Sequence, residues 1–250
     1  MVIIPPNYSA HNFMPPRTTY TPIACANCGI YQLCYSVGGD ADLSTLDTIV
    51  KNRKTIKRGD FLYRAGKPFR AIYAIRGGSV KTSILADDGR VQVTGFHIAG
   101  NVLGLDAIVT SQYNCEAMAL ETTAVCEVPF TRFEELSKEI PDLQYKMLKI
   151  MSQEILDNRE LMMLLGKMNA EERLATYLLN MSNRFEKRNF SSIQFNMSMS
   201  RSDIGNYLGM AEETVCRILT RFQEEGLITT QRRQITLNDL DRLKAVARRK

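Results

Sequence analysis

Ser200-Arg-Ser-Asp-Ile-Gly-Asn-Tyr-Leu-Gly209-Met-Ala-Glu-Glu-Thr-Val-Cys-Arg217 reads as two short helices meeting at a glycine. Ser200 and Asp203 have the spacing of a capping box, in which a side-chain oxygen and an acid three residues on satisfy the free amides of a helix start. The first helix carries Ile204, Tyr207 and Leu208, and Gly209 ends it. A second helix runs from about Glu212 to Glu225, with Val215, Ile218, Leu219 and Phe222 on its inward side. Ala211 gives that helix no side-chain cap, at a cost of about 1 kcal/mol. Two helices joined in this way form a helix-turn-helix. Gly226-Leu-Ile-Thr-Thr-Gln-Arg-Arg-Gln-Ile-Thr236 follows as two short strands around a basic turn, a wing.

The inward set leaves Glu212, Glu213, Cys216, Arg217, Thr220 and Arg221 facing out. A groove-reading helix uses its N-terminal residues on base edges. Arg217 can donate two bonds to guanine O6 and N7, and Glu213 can accept from cytosine N4. Thr220 and Arg221 suit phosphates. The plainer alternative is a helical hairpin with a solvated charged face. The wing and the helix upstream favour double-stranded DNA. Charge agrees: residues 91–131 hold no Lys or Arg, whereas the end of the chain carries Arg232, Arg233, Arg242, Lys244, Arg248, Arg249 and Lys250.

Moving toward the N-terminus, Ala170–Asn180 reads as a helix opening the last domain. Before it, Pro141 opens a long helix to about Gly166. Leu148, Met151, Ile155, Asn158, Met162 and Leu165 are spaced 3-4-3-4-3, a coiled-coil seam. Leu143, Met147, Ile150, Leu161 and Leu164 form a second apolar line that can pack internally. Two apolar faces imply one internal contact and one partner, a homodimer. A polar Asn158 in the seam fixes register and a two-stranded state. The competing reading is a helix buried all round in a monomer.

From Lys54 to Phe130 short apolar or alternating runs, such as Ala71–Ile75 and Val91–Phe96, lie between turn signals about every ten residues. Among those turns are Arg58-Gly-Asp60, Arg76-Gly-Gly78 and Asp87-Asp-Gly89. The pattern predicts an antiparallel β-roll. The fold class is therefore α+β: a β-roll, a long dimerisation helix and a winged helix-turn-helix. A short helix is expected over Asp40–Lys51. Residues 1–24 hold five of the eight prolines and are expected to be extended or disordered. The expected domains are 1–24, a sensory roll at 25–135, the dimer helix at 136–168 and the DNA-reading domain at 169–250.

Cys25-Ala-Asn-Cys28-Gly-Ile-Tyr-Gln-Leu-Cys34 places three thiols within ten residues, and Cys126 lies far downstream. Three clustered thiols and a distant fourth make a ligand arrangement that only a folded domain can assemble. No apolar run is long enough for a membrane span, and the N-terminus lacks the pattern of a signal peptide. A cytoplasmic location follows, where thiols stay reduced. Six cysteines there point to metal or redox chemistry before disulfides. Cys115 is an alternative to Cys126 as the fourth ligand.

In this order the parts resemble the Crp–Fnr regulators, and among them the oxygen-responsive Fnr (fumarate and nitrate reduction) branch. The resemblance covers residues 25 to about 235. It is carried by Cys25-x2-Cys28-x5-Cys34, Thr94-Gly-Phe-His-Ile-Ala-Gly100, Ala119-Leu-Glu-Thr122, Val125-Cys-Glu-Val-Pro-Phe130, Asn169-Ala-Glu-Glu-Arg-Leu174 and Asp203-Ile-Gly-Asn-Tyr-Leu-Gly209. It implies a [4Fe–4S] cluster on Cys25, Cys28, Cys34 and Cys126 that favours a DNA-binding homodimer, with oxygen destroying the cluster and releasing DNA. The family's reading motif, Glu-x-x-Ser-Arg, stands here as Glu213-Thr-Val-Cys216-Arg217, so Cys216 replaces a serine. The implied target is a palindrome of TTGAT-like half-sites, with the GA core the part to keep. The Asp87-Asp88-Gly89 turn resembles the family's loop that touches RNA polymerase.

Three other readings compete with this one. A zinc-stabilised or thiol–disulfide switch on the same cysteines would keep the DNA-binding prediction and lose the oxygen response. A cyclic-nucleotide receptor is disfavoured, because Glu116 stands about where such a receptor has its phosphate-binding arginine. An enzyme is disfavoured, because His11 and His97 are the only histidines and no nucleophile–base set can be assembled.

Overall fold

The computed structural model describes residues 52–139 and 141–248. The expectations for 1–24, for Cys25, Cys28 and Cys34, and for a helix over Asp40–Lys51 lie outside the described residues.

Two four-stranded antiparallel sheets face each other. In one the order is β1 (Asn52–Ile56), β8 (Thr123–Pro129), β3 (Ala71–Gly77) and β6 (Val102–Leu103). In the other it is β2 (Phe61–Tyr63), β7 (Glu116–Ala119), β4 (Ser79–Leu85) and β5 (Val91–Ile98). β3 is apolar along most of its length because both of its faces are covered. Successive side chains on a strand point to opposite faces. Tyr73 and Ile75 therefore fill the roll with Tyr63, Tyr113 and Val125, while Ile72 and Ala74 join Cys126 and Val128 on the other face.

That second face is packed by two helices. The long one is α2 (Pro141–Lys167), which contributes Leu143 and Met147. The sequence reading missed α1 (Phe130–Glu139), which contributes Phe133 and Leu136 and runs across the expected domain boundary at 135.

The rest of the chain is α3 (Ala170–Glu186), β9 (Gln194–Asn196), α4 (Arg201–Leu208), α5 (Glu212–Glu224), β10 (Ile228–Gln231), β11 (Gln234–Leu237) and α6 (Leu240–Ala247). α3 continues six residues past its expected end at Asn180, because Met181 and Phe185 extend its apolar side. β10, β11 and β9 form a small sheet beside the helix pair. This domain does not have a core to itself. Val93, Phe96, Ile98 and Leu120, from the outer face of the second sheet, belong to the same buried cluster as Leu174, Leu178, Ile204, Val215 and Phe222.

Polar contacts tie the same boundary. Asn206 on α4 behaves like a short added strand along the β5 edge. Its Oδ1 accepts from the Val93 amide at 2.6 Å, and its Nδ2 donates to the Val91 carbonyl at 2.7 Å. Arg184 donates to the Phe96 carbonyl at 2.6 Å and to Asn101 at 3.0 Å. Lys81 on β4 pairs with Asp203. Burial alone would raise the Asp203 carboxyl, but bonds from Lys81 and Ser200 outweigh it and hold the group below its ordinary value. Open strand edges invite pairing with other chains, and this edge is closed from within.

Candidate nucleic-acid interface and cysteine site

The capping box predicted at Ser200 is present. Ser200 Oγ accepts from the Asp203 amide at 3.0 Å, and Asp203 Oδ2 accepts from the Ser200 amide at 3.3 Å. Gly209 ends α4 with φ +62°, a left-handed conformation natural to glycine. Gly205 is needed for a different reason: a Cβ there would lie 2.7 Å from the Met210 carbonyl oxygen. Its bare backbone lets the turn pass close against α4. These two glycines fix the angle at which α5 leaves the turn.

Val215, Ile218, Leu219 and Phe222 are buried beneath α5. The opposite side presents Glu213, Cys216, Arg217, Thr220 and Arg221, all exposed on one helix face. Ala211 makes no side-chain cap, so the first amides of α5 keep their donors toward solvent. Among the described residues Arg217 has no acidic partner. Arg221 is engaged: Nη2 reaches Glu171 Oε2 at 2.6 Å and Nε reaches Glu225 Oε1 at 3.2 Å. Contact between Arg221 and a phosphate requires exchanging these half-exposed pairs, each worth about 1 kcal/mol or less. The wing turn holds Arg232 at φ +56°, and both Arg232 and Arg233 are exposed.

On α2, three residues of the expected seam are exposed apolar groups: Leu148 at 61%, Ile155 at 53% and Met162 at 73%. Asn158 is exposed, and Met151 and Leu165 are partly buried. The second line lies the other way, with Leu143, Met147 and Leu164 buried and Ile150 and Leu161 partly so.

The reading of the chain passed over Arg173, which joins α2 to the helix-turn-helix. Its guanidinium donates to the Leu165 carbonyl at 2.8 Å and the Met168 carbonyl at 2.9 Å, in the last turn of α2 and just past it. It also donates to the Leu208 carbonyl at 3.0 Å, in the last turn of α4. Carbonyls at a helix end lack intrahelical donors, and one side chain serves two such ends. The signal in the sequence was a single arginine inside a helix start, beside the Asn169–Glu172 capping box.

Of the four cysteines expected to act together, Cys126 is described, and Cys25, Cys28 and Cys34 lie outside the described residues. Cys126 is buried on the helix side of β8, in the cluster that holds Leu143 and Met147 at the base of α2. Its register partner is Arg53 on β1, where the described chain begins. Cys115 lies inside the roll. Its Sγ is 3.9 Å from Tyr63 Oη, and burial, with Asp106 nearby, pushes its thiol up to about 12. His97 sits 3.1 Å from Thr82 Oγ1, and burial, followed by Arg184, lowers it to about 3.

Comparison with known proteins agrees with this layout. Residues 172–246 match the Crp-like helix-turn-helix domain, and residues 53–139 match the cyclic nucleotide-binding domain. The chain is 45% identical over 224 residues to the transcriptional activator protein anr of Pseudomonas aeruginosa, covering 89% of this chain and 92% of that one. It is 42% identical over 226 residues to the fumarate and nitrate reduction regulatory protein of Salmonella typhimurium, covering 90% of each. The structure of FixK2 from Bradyrhizobium japonicum superposes with a TM-score of 0.73 at 29% identity, over 80% of this chain and 98% of that one.

Proposed function

Since this chain belongs to the Crp–Fnr family and is a DNA-binding regulator of its Fnr branch, we propose that it is an oxygen-responsive homodimer holding a [4Fe–4S] cluster on Cys25, Cys28, Cys34 and Cys126. The observation that carries the reading is the place of Cys126. It packs against the base of α2, on a strand paired with β1, the first described strand of the roll. Cys126, on the helix side of its sheet, is better placed for this role than Cys115, which lies inside the roll against Tyr63. A four-thiolate set is the usual protein environment of such a cluster, which supplies an oxygen-labile centre when bound.

The chain's own residues do the rest. Cys126 shares a core with Leu143 and Met147, so a change in its position moves the start of α2. α2 carries Leu148, Ile155, Asn158 and Met162 on a face that a second copy covers. A bias of a few kcal/mol at the start of α2 is enough to switch a marginal dimer, since each ~1.4 kcal/mol changes its association constant tenfold. Arg173 carries the setting of α2 to α4, and α5 then presents Glu213 and Arg217 to a palindromic, TTGAT-like site. Relatives of this kind are transcription regulators, not enzymes.

Two further parts follow. The β4–β5 hairpin, with Asp87 and Asp88 between exposed Ile84, Leu85 and Val91, supports a contact with RNA polymerase. The roll is filled by Tyr63 stacked on Tyr113 at 4.1 Å and on Tyr73 at 5.9 Å, and Glu116 faces Arg64 at 3.3 Å. That filling supports a roll that does not respond to cyclic nucleotides.

Iron and acid-labile sulfide are measured after anaerobic purification, and DNA binding is assayed before and after air. About four of each per chain are expected, with binding lost in air. Cys126→Ser should lose both iron and air-sensitive binding, and Cys115→Ser should keep them. Zinc in place of iron, or binding indifferent to air, would refute the oxygen reading and leave the DNA reading standing.

A further inference from the structure

A cavity of about 380 Å³ opens between the roll and the DNA-reading domain. Neither Cys126 nor any residue of α5 lines it. Its roll side is formed around Ser79, Ile98 and Glu121, and its other side around Phe185, Phe190 and Ser198. Pockets of ~300–1,000 Å³ at domain boundaries are the usual places for small ligands.

The chemistry of this cavity is selective. Among the described residues that line it, Glu121 is the acidic group and none is a lysine or arginine. Glu121 Oε1 accepts from Ser79 Oγ at 2.7 Å and from Ser198 Oγ at 2.8 Å, one hydroxyl from each half of the molecule. Oε2 has no partner among the described residues. Beside the carboxylate stands an aromatic wall. Phe185 stacks on Phe195 at 5.1 Å and meets Phe190 edge-on at 6.3 Å. Phe190 remains 38% exposed at the mouth. A carboxylate with an open oxygen next to ring faces is complementary to a cation with a flat apolar body.

We propose that this cavity is a binding site for a small aromatic amine, its ammonium on Glu121 and its ring against Phe185 and Phe190. An occupant touches both halves at once. It therefore stabilises the arrangement in which Asn206 closes the β5 edge. The site is separate from the cysteine centre, and binding there is independent of iron.

Phenethylamine and its neutral counterpart 2-phenylethanol are titrated into the full chain by calorimetry. Saturable binding is expected, with the amine favoured by about tenfold or more, the scale of one charge-assisted contact. Glu121→Gln keeps an oxygen for both serines, so it should fold normally and lose the preference for the amine. Phe190→Ala, at a partly exposed position, should weaken both ligands. Bound amine should also slow hydrogen exchange at the Val93 amide. Absence of saturable binding, equal affinity for amine and alcohol, or a preference that survives Glu121→Gln would overturn the site. Binding without protection of Val93 would overturn its action across the two halves.

Discussion

Replacing Arg173 by alanine tests whether the dimer helix and the DNA-reading helices are mechanically joined. The guanidinium makes its three shorter bonds to the Leu165, Met168 and Leu208 carbonyls, at 2.8–3.0 Å, and a longer one to Gly209 at 3.4 Å. Hydrogen bonds from a charged donor contribute about 1.5–3 kcal/mol each. Helix-end carbonyls near the surface recover part of that from water. The net loss is therefore about 2–4 kcal/mol, below the sum of three full bonds. Urea unfolding followed by circular dichroism reads this as a lower midpoint at unchanged slope. Arg173→Lys should recover a minor part, because one ammonium cannot span two helix ends as a planar fork does. DNA affinity, measured under conditions where both variants are folded, should fall in the same order. A stability of Arg173→Ala within about 0.5 kcal/mol of the parent would refute the joint. Full rescue by lysine would show that charge, not the fork, is what matters.

Arg217→Ala should cost about 1–3 kcal/mol of DNA affinity and relax the preference at one guanine, as read by binding to single-base variants of the half-site. Asn158→Ile should strengthen the dimer and reduce its dependence on the cysteine centre, read by sedimentation equilibrium across a concentration series; an unchanged distribution would mean that another face of α2 forms the seam. Asp203 has a lowered pKa in the folded chain. Its contribution is present above the unfolded value of about 3.9 and is lost as pH falls through the lower folded value. The difference in urea midpoint between the parent and Asp203→Asn should therefore shrink in acid below about pH 4 and stay constant at neutral pH.

The parts of this fold that depend on local pattern were legible in the sequence. Ser200, Asp203 and Gly209 announce the helix-turn-helix because capping and turn chemistry act within a few residues. The strands of the roll were legible as apolar runs between glycine turns. α1 was not, since its ten residues follow Pro129 directly and only Phe133 and Leu136 mark its buried side. Contacts between distant residues were also hidden. Asn206 and Val93 are 113 positions apart, and Ser198 and Glu121 are 77 apart, so neither polar side chain looks unusual in its own neighbourhood. The cysteines show the same limit. Cys115 and Cys126 are both buried thiols in the roll, and only the sheet arrangement puts one inside it and the other under α2.

The core shared by β5 and the helix-turn-helix bears on how such a protein can be taken apart. Val93, Phe96, Ile98 and Leu120 complete the packing of the second half, and Asn206 and Asp203 close the edge of the first. Neither half is a freestanding cassette. A reader domain transplanted onto an unrelated sensor would arrive with part of its interior missing. The roll left behind would display an apolar face beside an open strand edge. Exchange of DNA-reading domains between relatives should therefore succeed only when the matching surface of the roll travels with them.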